Sequence, residues 1–592
     1  MNINDYYIQE LRALRQEGKD FSEKNPGLAS FLSEKGQDPD VERLLEGFAF
    51  LTGRLRQSMD KEFPELTHGL AQLLWTNYLQ PVPSYTIIEF KPTEDKGEND
   101  LVPKHTKLLS YSKPHKTTCP FSTSYDVDIF PIELDKINYY TSGYSSTIEL
   151  DIKTIANKNL SELEMDKLRF YLGGIDYISQ ELNLYLHRYV EGIELSLVDV
   201  DNGEESIEIK LPIDSISTVG FSENKNILPR QQNVFYGYLL LQEYFCYRDK
   251  FNFIDISGFS RLKNISEEVL EKCNSFKLKI HFKRHLEISE KIEKDNFRLF
   301  CTPAVNIFKT EAIPIRKTNA EEDYELIPAG TTIDQSEVFS IRKVEGWAKE
   351  QNLYQEFLPF GSFEHGKKNQ EYYYIKVKLS DDNKRIRTFI RFAPNTIEHK
   401  DFLNEKMTIS IDIFATNKDI PSTLPLGAVD TLDASATVSG VTFKNITIPS
   451  KSSLPPLQGD FLWRIISNMS LNYLSLGSVQ TFRTLIESYD FPGFNDVLHR
   501  RKTQTLLMGL EKISYKTSEM IYEGLPIRGI ETTLEMDPDK YTSLGEAYIF
   551  ANVLNEFLTL YCNVNTFHRF EVKVDRNEIF TWKPRLGRQT LI

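Results

Sequence analysis

Four residues, "PVPS" at 81–84, separate two kinds of hydrophobic pattern. Before them, apolar residues recur at three- and four-residue steps, the spacing of an amphipathic helix. After them come short runs rich in aromatic and β-branched residues, the content of strands. Proline lacks a donor N–H and disfavours helix in the residue before it, so no helix continues through Pro81 and Pro83. The chain is therefore read as α+β, with its helical block and its strands segregated along the sequence.

Within the helical block, Tyr7, Leu11, Leu14, Gly18 and Phe21 form one stripe, which "NPG" at 25–27 stops. Asp38 is placed as an N-cap with Pro39 at the first helical position. Val41, Leu44, Leu45, Phe48, Leu51 and Leu55 make the next stripe, and a third helix is expected over about 67–79. Gly47 and Gly53 lie inside the second helix, where each costs roughly 1 kcal/mol relative to Ala. Either another helix approaches closely there or packing tolerates them. Six residues of ideal helix leave the two glycines ~120° apart, so a close approach can use only one. Gly47, flanked by Phe48 and Phe50, is the candidate partner contact.

Downstream, "YTIIEF", "STIELDI", "GIELSLVDV", "KLKIHF" and "YYYIKVKL" read as strands, with one helix interrupting them near 174–189. Polar connections lie at 94–100 and 317–323, and "SKSSLPPLQGD" at 450–460 is the clearest linker. Helices return in "FLWRIISNMSLNYLSL" and "GEAYIFANVLNEFLTLY", and "FHRFEVKVDRNEIFTWKP" closes the chain as a hairpin. The expected divisions are a helical N-terminal region (1–83), a β-rich domain with one inserted helix (84–295), a second β-rich domain (296–455) and a mixed helical and β C-terminal domain (456–592). That agrees with the ~four domains suggested by 592 residues.

Composition excludes some functions. With 70 Lys and Arg against 85 Asp and Glu, the formal net charge is −15, which argues against nucleic acid as the main partner. Cys119, Cys246, Cys273, Cys301 and Cys562 are scattered with no C-x-x-C, which suits a reducing compartment. The N-terminus has no basic and apolar leader, and no apolar run approaches the ~20 residues of a membrane span. A soluble cytoplasmic protein is expected. Aromatic residues make up 12%, which fits either strand-rich packing or extensive protein interface.

Motifs for chemistry are weak. "GSFEHGKK" at 361–368 nearly spells a phosphate-binding loop. However, Lys368 stands where a Mg²⁺-binding hydroxyl is needed, and a strand pattern rather than a helix follows Lys367. It is read as a connecting loop. His281 and His285 are four apart in a strand-like run, better read as an exposed face than as metal ligands. "KRIRTFIRF" at 384–392 interleaves basic and aromatic residues as a base-stacking surface would, but a half-exposed strand reads the same way. "HRRK" at 499–502 is a solvated surface or a contact for an acidic partner; the solvated reading is preferred. There is no nucleophile elbow and no distinctive carboxylate pair. No catalytic, cofactor-binding or metal-ligating residue is assigned.

"VERLLEGFAFL" (Val41–Leu51), "DKEFPEL" (Asp60–Leu66) and "YLQPVPS" (Tyr78–Ser84) carry a resemblance. Further stretches follow in order: "LRFYLGG" from Leu168, Leu240–Phe259, Phe297–Phe308, "TNKDIP" (Thr416–Pro421), "LNYLSL" (Leu471–Leu476), Arg528–Gly529 and Asn563–Phe567. Together they resemble the TssF family (also VasA or ImpG) of the bacterial type VI secretion baseplate. Lys418 stands where the family pattern has Arg, keeping the charge but losing the planar fork. The resemblance implies a fold like the wedge proteins of contractile phage baseplates and a structural role without catalysis or cofactor. It implies two copies clasping one TssG, joined by TssK and TssE around the VgrG hub. Such a ring docks at the inner face of the inner membrane through TssK and starts the Hcp tube and the sheath. Two other readings stay open: a polymer- or carbohydrate-acting enzyme on β-rich domains, and a cytoplasmic β-rich adaptor outside secretion.

Overall fold

A computed structural model describes residues 39–62, 76–93, 99–155, 158–199, 205–229, 236–288, 290–317, 323–348, 353–360, 371–380, 385–393, 407–434, 440–457, 478–560, 565–575 and 578–587, with isolated positions at 7, 8, 10–12, 14, 71, 436, 438 and 562. The chain forms two units, Met1–Leu73 and Leu74–Ile592. Helices of nine residues or more among the described residues are numbered α1 to α6. In the first unit, α1 spans Pro39–Glu62, with Pro39 at its start as the sequence predicts. The stop at 25–27, the near-phosphate loop at 361–368 and the expected helix over 461–476 lie outside the described residues.

In the second unit a single 3₁₀ turn, Thr76–Leu79, precedes the proline stretch, and the first strand, Tyr85–Pro92, follows it. That strand is buried along Tyr85–Phe90 because it is central. It pairs antiparallel with Cys301–Val305 on one side and Val441–Asn445 on the other. The resulting six-stranded sheet runs Thr431–Leu432, Lys107–Ser112, Thr117–Thr123, Cys301–Val305, Tyr85–Pro92, Val441–Asn445. It takes strands from both sides of residue 296. The stretch expected as a linker is pinned to the same strand: Ser450 N–H donates to Tyr85 O (2.9 Å), and Val82 and Ser453 exchange backbone bonds.

A five-stranded antiparallel sheet orders Glu205–Leu211, Val190–Asp199, Cys273–Phe282, Ser145–Thr154 and Ile132–Ser142. Its strands alternate as a half-buried sheet should: Phe276, Leu278, Ile280 and Phe282 point inward, and Lys277, Lys279 and His281 point outward. Helix α2, Asp176–Arg188, sits where one helix was expected. The expectation of a single interrupting helix is corrected by α3, Tyr236–Cys246, which is buried from Tyr236 to Phe245. Burial on all sides leaves no polar stripe, so α3 shows no 3.6-residue period to read.

The chain leaves the six-stranded sheet after Val305 and returns to it at Thr431. Between those points it builds an eight-stranded sheet from strands within 308–416. Ile409, Ile411 and Ile413 on the Met407–Thr416 strand, with Val344, Phe357, Tyr373 and Ile390, form its core.

C-terminally, α4 (Val479–Glu487) and α5 (Val497–Met508) precede a long hairpin, Leu510–Tyr522 with Leu525–Met536. Helix α6, Leu544–Leu560, then crosses over, so that Phe567–Lys573 runs parallel to the second hairpin strand. Phe567–Lys573 and Ile579–Thr581 pair antiparallel, as the closing hairpin predicts. Gly545 lets α6 meet α2 closely: a Cβ there would lie 2.1 Å from Gln180 O. Its N–H donates to Glu181 Oε1 at 3.0 Å.

Candidate partner interface

The candidate contact on α1 has a clear polarity. Leu44, Phe48 and Leu51 are 73%, 58% and 60% exposed, while Ala49 and Gly53 are buried. Steps of four and three residues put the three exposed side chains on one stripe. At 100° per residue, Ala49 and Gly53 fall on the opposite side. Gly47 belongs to the exposed stripe, and among the described residues a Cβ built on it meets nothing within 4 Å. Phe50, 47% exposed, lies about 160° around the helix from Phe48. The two rings therefore bracket Gly47 from opposite flanks. Thr52 Oγ1 donates to Phe48 O (2.8 Å), so the stripe's hydroxyl neighbour is spent within the helix.

The other singled-out residues are held by their own surroundings. His281 Nδ1 bonds Thr147 Oγ1 (2.9 Å) and its Nε2 lies 3.3 Å from Glu194, whereas His285 pairs with the Tyr139 hydroxyl at 3.1 Å. The structure does not bring these two imidazoles to one ligand. Among the described residues, no His, Cys, Asp and Glu group is arranged to hold a metal. All five cysteines are free thiols, and burial raises Cys119 and Cys562 to about 12. "HRRK" lies on α5, where His499 faces Asp490 (3.1 Å) and Arg500 donates to Gly493 O (2.7 Å). From Ile386 onward, "KRIRTFIRF" lies on the half-exposed strand Ile386–Ala393.

A buried polar network went unread in the sequence. Lys250 and Glu243 form a fully buried ion pair. Glu243 Oε1 also accepts from the N–H groups of Ile227 and Leu228, both at 2.8 Å. Burial holds the Lys250 ammonium below its ordinary value against the pull of Glu243. Tyr247 OH donates to Pro83 O (2.8 Å), Tyr85 OH to Asp249 (2.9 Å) and Arg248 to Glu546 (2.6 Å). The stretch Leu240–Phe259 thus ties the start of the first strand, α3 and α6 together. A polar group in such a place must find its partner or cost the fold dearly. These contacts position elements; they converge on no open site.

Glu337 is the exception. It is buried at the start of the Glu337–Ala348 strand beside a cavity of about 20 Å³, room for one water, lined also by Ser336, Thr388 and Lys418. Burial raises its carboxyl to about 7, and the nearby Lys418 opposes that rise. The Ile386 backbone and the Thr416 side chain face the carboxylate and act to lower its pKa.

Among the described residues, no helix is long and apolar enough to cross a membrane. The chain is 27% identical to the type VI secretion system component TssF1 of Pseudomonas aeruginosa, over 98% of each chain. It superposes with a TM-score of 0.74 and 25% identity on a chain of a type VI secretion TssK-TssF-TssG baseplate subcomplex solved by cryo-electron microscopy, covering 92% of this chain and 98% of that one. A chain of a type VI secretion baseplate complex shares the fold over the full length of both chains, at a TM-score of 0.61 and 24% identity. The family model described as "Type VI secretion system, TssF" matches residues 1–589, and the chain belongs to that family.

Proposed function

We propose that this chain, a structural subunit of the type VI secretion baseplate, enters its wedge by presenting α1 to a helix of TssG. Two copies of the chain share one TssG, and TssK and TssE complete the wedge. The wedges surround the VgrG hub, start the Hcp tube and the sheath, and dock through TssK at the inner face of the inner membrane. The helical N-terminal region makes the contact, and the β-rich and mixed domains form the body of the subunit.

The observation that carries this reading is the exposed stripe of Leu44, Phe48 and Leu51 around Gly47. Apolar side chains at this spacing are what a facing helix buries, and a glycine among them lets the two backbones approach. The role requires large fitted surfaces and no reacting group. Copurification of the full chain with TssG, with the mass of the complex read by light scattering, tests it. A complex of two copies to one TssG is expected. A chain that elutes apart from TssG contradicts the proposal.

A further inference from the structure

The long C-terminal hairpin carries a second surface, on its solvent side. Its strands, Leu510–Tyr522 and Leu525–Met536, set Lys512 across from Glu535 and Lys516 across from Glu531. Side chains alternate along a strand, so these four share one face, while Ile513 and Leu534 are buried on the other. The charges are sorted by strand: both lysines stand on the first and both glutamates on the second. Lys512 reaches Glu535 at 3.7 Å. Glu531 is held by Arg569 and by the Ser518 hydroxyl (3.0 Å), so Lys516 has no carboxylate of its own among the described residues. Toward the tip the same face turns apolar. Tyr522 and Leu525 pair there, 41% and 69% exposed, with Met520 and Ile527 half-buried behind them. On the reverse side of the tip Ile521 is 80% exposed. The third strand, Phe567–Lys573, joins only from Gly529 onward, so among the described residues the tip is two strands alone. Two strands by themselves are marginal in water, and a tip that is apolar on both sides gains by being covered.

We propose that this face docks on the same face of a second copy of the chain. When two copies stack face to face about a two-fold axis along the hairpin, the first strand of each lies over the second strand of the other. Lys516 then meets the partner's Glu531, and Lys512 the partner's Glu535. Met520 and Tyr522 meet the partner's Ile527 and Leu525. Turning one copy end for end instead lays lysines on lysines and glutamates on glutamates, so the sorted charges select the first arrangement. The face is complementary to itself in its charged part and its apolar part alike, which names a second copy as the occupant. A strand of 13 residues at ~3.3 Å each, with two strands ~4.8 Å apart, offers roughly 400 Å² per copy, against the ~800 Å² of a standard interface. The contact is therefore weak alone and closes between copies held near each other. The hairpin lies in the unit Leu74–Ile592, and its docking does not depend on the α1 proposal.

Sedimentation velocity of the full chain at low salt, over rising protein concentration, tests it. A reversible dimer is expected, weakening as salt is raised. Lys516→Glu and Glu531→Lys should each weaken it by about ten-fold or more, since each sets like charges against each other across the two-fold axis. An equimolar mixture of the two variants should dimerise as the parent does, because the altered residue of one faces the altered residue of the other and the second contact keeps its native pair. Leu525→Ser, a change confined to the exposed tip, should weaken the dimer while the chain melts as the parent does, and it keeps the test open should Glu531→Lys fail to fold. A monomer at every concentration, a dimer indifferent to Lys516→Glu and Leu525→Ser (as self-association through α1 would be), or a mixture no stronger than either folded variant alone overturns the proposal.

Discussion

Asn306 and Asn417 clasp each other where the chain enters and leaves the eight-stranded sheet. Asn417 N–H donates to Asn306 Oδ1 at 2.6 Å, and Asn306 Nδ2 donates to Asn417 Oδ1 at 3.0 Å. Each side chain also holds a further carbonyl, Asn306 that of Pro120 (2.7 Å) and Asn417 that of Gln335 (3.1 Å). Both residues are fully buried. Only these two crossings connect the inserted sheet covalently to the six-stranded one, so the clasp fixes one against the other.

Removing one half of this pair strands buried donors and acceptors on the other. Asn417→Ala and Asn306→Ala should each cost about 1–3 kcal/mol. The double variant should lose less than the sum, because the second change removes groups already orphaned. Thermal melting measures the cost, and limited proteolysis should show new cleavage near 306–308 and 416–420. Additive losses with unchanged proteolysis would show that the two side chains act separately.

The Glu243–Lys250 pair gives a sharper effect. Glu243→Gln leaves a buried ammonium without its counter-charge and two backbone N–H groups with a weaker acceptor; the expected loss is about 3–5 kcal/mol. Lys250→Met together with Glu243→Gln should recover part of it, since the charge that made the loss costly is gone. Urea denaturation followed by near-ultraviolet circular dichroism of both proteins decides this. No recovery in the double variant would place the cost in the lost bonds to Ile227 and Leu228 instead.

Glu337 predicts a pH dependence. Its folded pKa is about 7 against an ordinary 4.5, so the folded state holds the proton more tightly than the unfolded state does. The stability this contributes is complete below pH 4.5 and is lost as pH rises through 7. Glu337→Gln, which cannot ionise, should melt close to the parent in acid. It should be the more stable protein above neutrality, by on the order of 3 kcal/mol. Lys418 and Asp419 are the charged groups that act on it, and Glu325 lines the same cavity. Melting curves of the two proteins that stay parallel across this range would show that Glu337 does not titrate in the folded state.

What the sequence disclosed follows from how each element is buried. The Cys273–Phe282 strand is covered on one face only, so its alternation was readable residue by residue. Helix α3 is covered on every side and offered no period. The six-stranded sheet joins Tyr85–Pro92 to strands more than two hundred residues away, and no local signal fixes such a pairing. The Glu243–Lys250 pair was hidden for a related reason: seven residues span a helix end and a 3₁₀ turn, so no regular spacing brings the two charges together. On α1 the apolar stripe was legible, but its direction was not. Leu44, Phe48 and Leu51 have the spacing of core residues, and the structure leaves them exposed.

That direction makes Gly47→Leu the most direct test of the central claim, that α1 is a partner helix. Among the described residues the new side chain enters open space, since none of them lies within 4 Å of a Cβ at Gly47. Replacing a helix-interior glycine adds up to about 1 kcal/mol of helix propensity. At a helix–helix contact the same side chain overpacks, typically by 1–3 kcal/mol. TssG pull-down should be measured beside the melting temperature of the purified chain. The account predicts an unchanged or slightly raised melting temperature with TssG capture reduced by roughly five-fold or more. A folded Gly47→Leu chain that captures TssG as the parent does would contradict it.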